Sequence, residues 1–284
     1  MEKWEKDLEK YNNLIAAFDD TCRMAVEDNH LSAMTESSKK GQVIIPEDAD
    51  IMNMSGKFHV HKQGNIVLSS KKTLDAARAH KGKHIAVLNF GCATAPGGGG
   101  KKGRLTQEEC LCRQTALYPS ISSKSCIEGF YEQHKDLDNL YNADMIYTPH
   151  VTVFKNDDDV PELLPKNEWF GVDVITMAAP NVSCLEKHAI QSMDNQLMDI
   201  FEKRFMRIMC AAAAYDVDVL ILGAFGCGEF GNDPAIVAAA AARVLDAGYR
   251  NMFDTVEFAV YGKKKTNYRM FRLVLDRYLN GQGS

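Results

Sequence analysis

Two apolar, β-prone runs, Ile85–Phe90 (IAVLNF) and Val217–Leu222, each pass directly into a glycine-rich loop and then into a helical stretch. A strand without polar alternation is buried on both faces, as happens when helices cover both sides of a sheet. The same alternation runs along most of the chain. Predicted strands at Lys57–Val60, Asn65–Leu68, Met145–Thr148, Val151–Phe154, Val172–Met177 and Thr255–Val260 are interleaved with predicted helices. The helices fall at Thr73–His80, Gln107–Tyr118, Ser192–Tyr215, Pro234–Ala247 and Asn267–Leu279. This pattern predicts an α/β fold, helices packed on a mostly parallel sheet. No internal repeat interrupts it, and the run Ala238–Ala242 is explained by helix propensity.

Upstream of residue 57 the pattern is different. Trp4, Leu8, Tyr11, Ile15, Phe18 and Cys22 alternate steps of four and three, one stripe of an amphipathic helix whose other face is acidic. That helix either packs its stripe on the rest of the chain or offers it to a partner. Residues 31–56, punctuated by Ser, Gly and Pro, read as a connector with at most one short strand at Val43–Ile45. The expected organisation is a helical extension and connector over 1–56 and one domain over 57–284.

Composition removes several function classes. Lys and Arg total 33 against 38 Asp and Glu, a net charge of −5, so no global positive field draws the chain to nucleic acid or anionic lipid. Neither direct nucleic-acid binding nor membrane association is expected. The start, MEKWEKDLEK, has no apolar core of a signal peptide, and no long apolar stretch follows. Eight dispersed cysteines in a chain of 284 residues read as reduced thiols, so the expected location is cytoplasmic, or nuclear in a eukaryotic cell. Cys110-Leu-Cys112 lacks zinc-finger spacing, and the eight histidines form no H-E-x-x-H arrangement and no helical H-x3-H pair, since His80 and His84 stand four apart but the predicted helix stops at His80. No metal and no cofactor are expected.

The first glycine loop reads Asn89-Phe-Gly-Cys-Ala-Thr-Ala-Pro-Gly97-Gly98-Gly99-Gly100-Lys-Lys-Gly-Arg104. Four glycines in succession remove every Cβ, so backbone can approach a ligand and turn N–H groups toward an anion. A flexible surface turn is the plainer alternative. Position favours the ligand, because open α/β sheets bind at loops beyond strand C-termini. The second loop, Gly226-Cys227-Gly228-Glu229-Phe230-Gly231-Asn232, spells G-x-G-x-x-G between strand and helix and raises the dinucleotide-dehydrogenase reading. Against it, the motif ends at Gly231 of 284 residues, where a Rossmann unit opens its domain, and Phe230 is bulky for close approach to a pyrophosphate. Asn232 or Asp233 with Pro234 makes a helix start. Cys227 has no neighbouring histidine and reads as packing. Two such loops suggest a cleft that grips a diphosphate, as in an ADP-containing ligand.

Glu108 and Glu109 follow the first loop at the start of a predicted helix. Adjacent helical residues point about 100° apart, so the two carboxylates cannot share one atom as a glycosidase pair does. Thr106-Gln107-Glu108-Glu109 is also a capping box, in which Glu109 reaches back to the Thr106 N–H. The alternative is catalytic, since a carboxylate crowded by a polyanion is raised in pKa and suited to donate a proton. Asp144 and Asp173 beside buried strands read as caps or loop acceptors.

The run Gly98-Gly99-Gly100, six residues, then Gln107-Glu108-Glu109 resembles the GGG-x(6–8)-QEE signature of the microbial-type poly(ADP-ribose) glycohydrolases, which are catalytic macrodomains. Asn89-Phe90, Pro96, Leu111–Tyr118, Tyr147-Thr-Pro149, Ala179-Pro-Asn181 and Gly226–Pro234 extend the likeness over about residues 57–280. The resemblance implies a three-layer α/β/α macrodomain with a mixed, mostly parallel sheet over 57–284 and a helical extension before it. It implies that Gly97–Gly100 is the catalytic loop and Gly226–Asn232 the diphosphate loop. Phe230 would pack on the ribose beside the scissile bond, and Asn89 would bond that ribose's hydroxyls. Glu109 would protonate the leaving oxygen of the ribose–ribose bond and then activate water, with Glu108 fixing hydroxyls and no metal required. Lys101, Lys102 and Arg104 make the loop more basic than the family's pattern, either as a solvated turn or as extra contact with a negative substrate.

The implied activity is hydrolysis of poly(ADP-ribose), or of ADP-ribosylated protein, with release of ADP-ribose. Two alternatives remain open at this point. One is a non-catalytic reader of ADP-ribose marks, against which the intact QEE argues. The other is removal of single ADP-ribose groups from protein or a nucleobase.

Overall fold

A computed structural model describes residues 3–51, 64–262 and 265–280. The strand expected at Lys57–Val60, together with His59 and His61, lies outside the described residues. In chain order the elements are α1 (Lys3–Glu27), α2 (Asn29–Gly41), β1 (Val43–Ile45), β2 (Asn65–Ser69), α3 (Thr73–Arg78) and β3 (Ile85–Phe90). Then come α4 (Gln107–Gln114), α5 (Leu117–Ile121), α6 (Lys124–Cys126, continued by a π turn at Ile127–Tyr131), β4 (Met145–Val153) and β5 (Phe170–Met177). The last are α7 (Lys187–Ser192), α8 (Asp194–Ala214), β6 (Val219–Leu222), α9 (Pro234–Asp246), β7 (Thr255–Ala259) and α10 (Thr266–Asn280).

The strands form a mixed sheet in the order β1-β4-β5-β3-β6-β7-β2. β3 with β6, β6 with β7 and β7 with β2 are parallel, while β1 with β4 and β4 with β5 are antiparallel. The α/β class expected from the alternating pattern is what forms. By its contacts the chain divides into two compact units, one drawn from residues 1–45, 89–136 and 144–177, the other from 46–88, 137–143 and 178–284.

The first unit carries α1, α2, β1, β4, β5 and the helices that follow β3. Its core includes Leu14 and Phe18 of α1, Tyr147 and Val151 of β4, and Phe154, all buried. Three details depart from expectation. Residues 31–41, read as connector, are helical in α2, which Asp28 caps by accepting the His30 and Leu31 N–H groups. The helix expected over Gln107–Tyr118 breaks at Thr115, whose backbone is extended and which bridges to Val153. Its hydroxyl bonds the Leu111 carbonyl and accepts the Leu117 N–H, so the break leaves those groups satisfied. The two strands expected around Pro149 are one, β4, with a register shift between Thr148 and Val151. His150 stands there at φ 54°, its N–H held at 2.8 Å by Asp173, the loop acceptor expected, which also accepts the Tyr147 hydroxyl.

The second unit carries β2, β6, β7, α3 and α7 to α10. Phe225, just after β6, meets Phe201 and Phe205 of α8 edge-on at 6.0 and 6.3 Å between ring centres. No described helix is long and apolar enough to cross a membrane.

Candidate active site

The first site residues stand where β3 gives way to its loop. Asn89 is fully buried, and its side-chain amide donates to Thr176 Oγ1 at 3.1 Å and to Glu108 Oε1 at 3.3 Å. Its Oδ1 has no hydrogen-bond partner among the described residues, so a buried acceptor stands ready for a hydroxyl. Three polar side chains of the first turn of α4 return toward the glycine loop and the end of β3. Gln107 Oε1 accepts the Phe90 N–H at 2.9 Å, and Glu108 Oε2 accepts the Cys92 N–H at 2.7 Å. Gly97 N–H adds a further bond to Glu108.

Burial dominates the electrostatics of Glu108, which is 2% exposed, and pushes its carboxyl up to about 8. The N–H of Cys92 and the amide of Asn89 oppose that shift, while the charge of Glu109 adds to it. Glu109, 3% exposed, has different partners. Its Oε1 accepts the Gly99 N–H at 2.8 Å and its Oε2 accepts the Thr106 hydroxyl. The capping box expected from the spacing therefore does not form: Thr106 occupies the N-cap position without a side-chain cap bond, its hydroxyl turned to the carboxylate. The Thr106 hydroxyl is thereby committed to the Glu109 side chain.

The glycines are required by this packing. Gly97 and Gly98 have φ of 67° and 52°, a region that side chains strain to adopt. A Cβ on Gly98 would lie 2.6 Å from Glu109 Oε1 and 3.1 Å from Glu108 Oε2. The two carboxylates diverge as adjacent helical residues must, yet both border this one residue. Gly97 similarly lies against the Tyr118 ring.

In the second unit the Gly226–Asn232 loop is held from within. Asn232, 3% exposed, donates from Nδ2 to the carbonyls of Pro180 and Gly226 at 2.7 and 3.0 Å. Gly226 has φ 73° and no room for a side chain, since its Cβ would meet Ala179 at 2.6 Å and Asn232 Nδ2 at 2.7 Å. Phe230 is tied to the Ala179–Asn181 turn through its carbonyl, which accepts the Val182 N–H at 2.9 Å. Gly228 has open space on its Cβ side, and Gly231 has φ 75°. Of the two cap candidates it is Asp233 that caps α9, accepting the Ala235 N–H at 2.7 Å, with Pro234 opening the helix. Burial pushes the Cys227 thiol up, away from a reactive thiolate, as its packing role requires. Among the described residues no group of three or more His, Cys, Asp or Glu is placed to hold a metal ion.

Comparison with known proteins bears on both loops. The family model for the microbial-type PARG catalytic domain matches residues 19–156, which include the first loop and both glutamates. A crystal structure of poly(ADP-ribose) glycohydrolase (PARG) from Deinococcus radiodurans in complex with ADP-ribose is 31% identical, over 85% of this chain and 96% of that one, with a TM-score of 0.73. The chain belongs to the microbial-type poly(ADP-ribose) glycohydrolases. A second relative, poly(ADP-ribose) glycohydrolase from Thermomonospora curvata bound to the inhibitor ADP-HPD, is 28% identical over 92% of this chain and 99% of that one, with a TM-score of 0.79. No curated protein sequence matches.

Within this glycohydrolase several contacts were not read from the motif. Thr176 on β5 orients Asn89, the Cys92 amide anchors Glu108, and Tyr118 supports Gly97. Cys92 and Tyr118 fell inside segments already singled out, but Cys92 acts through its backbone and Thr176 from a distant strand, and no local spacing announces either contact.

Proposed function

We propose that the chain hydrolyses the ribose–ribose O-glycosidic bonds of poly(ADP-ribose), releasing ADP-ribose, with Glu109 as acid and base. Family membership supports the reaction, and the observation that carries the residue assignment is the seat of Glu109. Its carboxyl is buried, fixed to the glycine loop by the Gly99 N–H, and covered by a residue that has no side chain. A carboxyl so held meets the positional demand of general acid catalysis.

In the proposed cycle the Glu109 carboxyl protonates the departing ribose oxygen as the glycosidic bond breaks. The positive charge left at the anomeric carbon is oxocarbenium-like. Glu109, now a carboxylate, takes a proton from the incoming water, and the C–O bond of the product ADP-ribose forms. Asn89, with its open Oδ1, and Glu108 bond ribose hydroxyls, and the Gly226–Asn232 loop takes the diphosphate with Phe230 against ribose. ADP-ribose, present in the Deinococcus radiodurans structure, is the expected product ligand. Eight cysteines dispersed as thiols along the chain suit a reducing, cytoplasmic setting.

The test is release of ADP-ribose from poly(ADP-ribose) by wild type and Glu109→Gln, with calorimetric ADP-ribose binding alongside. Release by wild type alone, with binding kept in the variant, supports the assignment. Equal release by both removes Glu109 from the chemistry. Binding without release in wild type points to the reader alternative.

A further inference from the structure

We propose that α1 is a working part of the catalytic loop and that Phe18 is a positioning residue for Glu109, an inference that rests on Glu109 being the acid. The argument begins at Gly100. Its φ is not in the left-handed region, so backbone conformation alone does not demand glycine there. The three atoms nearest to a Cβ built on it all belong to the Phe18 ring, which such a methyl would overlap. Glycine at this position makes room for the helix.

Phe18 is 1% exposed and meets Tyr118 edge-on, with ring centres 4.8 Å apart. Tyr118 in turn lies 2.7 Å from the Cβ position of Gly97. The two rings thus support both ends of the Gly97–Gly100 run. Two turns earlier on the same face of α1, the Tyr11 carbonyl lies 2.9 Å from the Cβ position of Gly103, a residue at φ 69°. The helix also grips the element that carries Glu109: Thr21 donates its hydroxyl to the Arg113 carbonyl of α4 at 2.6 Å. Asp20 pairs at 2.7 Å with Lys155, itself 3% exposed. Touching the loop and α4 together, α1 sets the separation between the Gly99 N–H and the Glu109 carboxylate. Reaction rates depend steeply on such placement.

The experiment compares wild type with Phe18→Ala, Phe18→Leu, Gly100→Ala, the Phe18→Ala/Gly100→Ala double variant, Glu109→Gln and, as a control, Leu31→Ala. Leu31 is buried in a cluster with Ala25, Ala116 and Phe154. Measured are kcat and KM for ADP-ribose release from poly(ADP-ribose), ADP-ribose affinity and Tm. Phe18→Ala is expected to lower kcat by up to about 100-fold, with KM and ADP-ribose affinity nearly unchanged and partial recovery in Phe18→Leu. Leu31→Ala lowers Tm but leaves kcat in place. Gly100→Ala lowers kcat in the wild-type background and does little once the Phe18 ring is gone. Full kcat in Phe18→Ala, or strictly additive losses in the double variant, overturns the proposal while leaving Glu109 as acid if Glu109→Gln is inactive. Release that survives Glu109→Gln overturns the reading underneath it. Should Phe18→Ala not fold, Phe18→Leu at full kcat is equally decisive against the proposal.

Discussion

Glu109 and Gly99, ten residues apart, are joined by a 2.8 Å hydrogen bond from the glycine amide to Oε1. The proposed acid is thereby fixed to the loop that the resemblance places over the substrate, and Thr106 closes its other oxygen. Glu108 turns instead toward Asn89 and Cys92, so one signature supplies two carboxyls with separate partners.

Glu109→Gln keeps an acceptor for the Gly99 N–H while removing the transferable proton. Release of ADP-ribose is expected to fall by about 10²- to 10⁴-fold, the usual range for loss of a general acid. Tm and ADP-ribose affinity stay close to wild type. A parallel loss of folding would instead make the Glu109 contacts structural.

Glu108 predicts a pH-dependent stability. Its carboxyl, ordinarily at 4.5, is pushed up to about 8 by burial, so between those values the folded state holds a proton that the unfolded state has released. Stability from this group is therefore fully present below 4.5, falls as pH rises toward 8 and levels off above it, by about 1 kcal/mol per pH unit at most. Denaturant titrations of wild type and Glu108→Gln from pH 5 to 9 are expected to show this slope in wild type and lose it in the variant. Parallel curves would remove Glu108 as its source.

Gly98→Ala strains a φ of 52° and drives a methyl toward both carboxylates. The backbone contribution alone costs about 1–2 kcal/mol. Because the crowded atom is Glu109 Oε1, activity should fall further than stability does. Gly228→Ala, with open space on its Cβ side, serves as the comparison in melting experiments, and equal losses at both positions would contradict the geometry.

Much of this architecture is legible in the residues. The buried stretches Ile85–Leu88 and Val219–Leu222 announce strands through unbroken apolar character, and α1 announces itself through its stripe. Helix α2 was hidden because its buried face carries hydroxyls. Thr35 and Ser38 bond the carbonyls of Leu31 and Met34 within the helix and those of Ala25 and His150 beyond it, satisfying buried polar groups that hydrophobic periodicity cannot register. In the site, the glycines and the QEE triplet were visible, but the hydrogen-bond partners of Glu109 were not. Thr106 at a capping spacing predicts a cap until the Gly99 amide arrives from across the loop, and that contact depends on tertiary packing.

Asn232 carries the last prediction. Its side-chain amide spans two carbonyls, Pro180 and Gly226, and so fixes the Ala179–Asn181 turn to the second glycine loop. Asn232→Asp replaces both donated hydrogens with an acceptor facing two acceptors, and Asn232→Ala leaves both carbonyls without that donor. Each variant is expected to lose about 1–3 kcal/mol, the Asp variant more because its charge is buried. If the loop binds diphosphate as proposed, ADP-ribose affinity weakens in both while affinity for adenosine, which lacks the diphosphate, changes less. Calorimetry with the two ligands separates the outcomes: equal weakening for both would mean that Asn232 supports the fold at large, and unchanged ADP-ribose affinity would remove the loop from diphosphate binding.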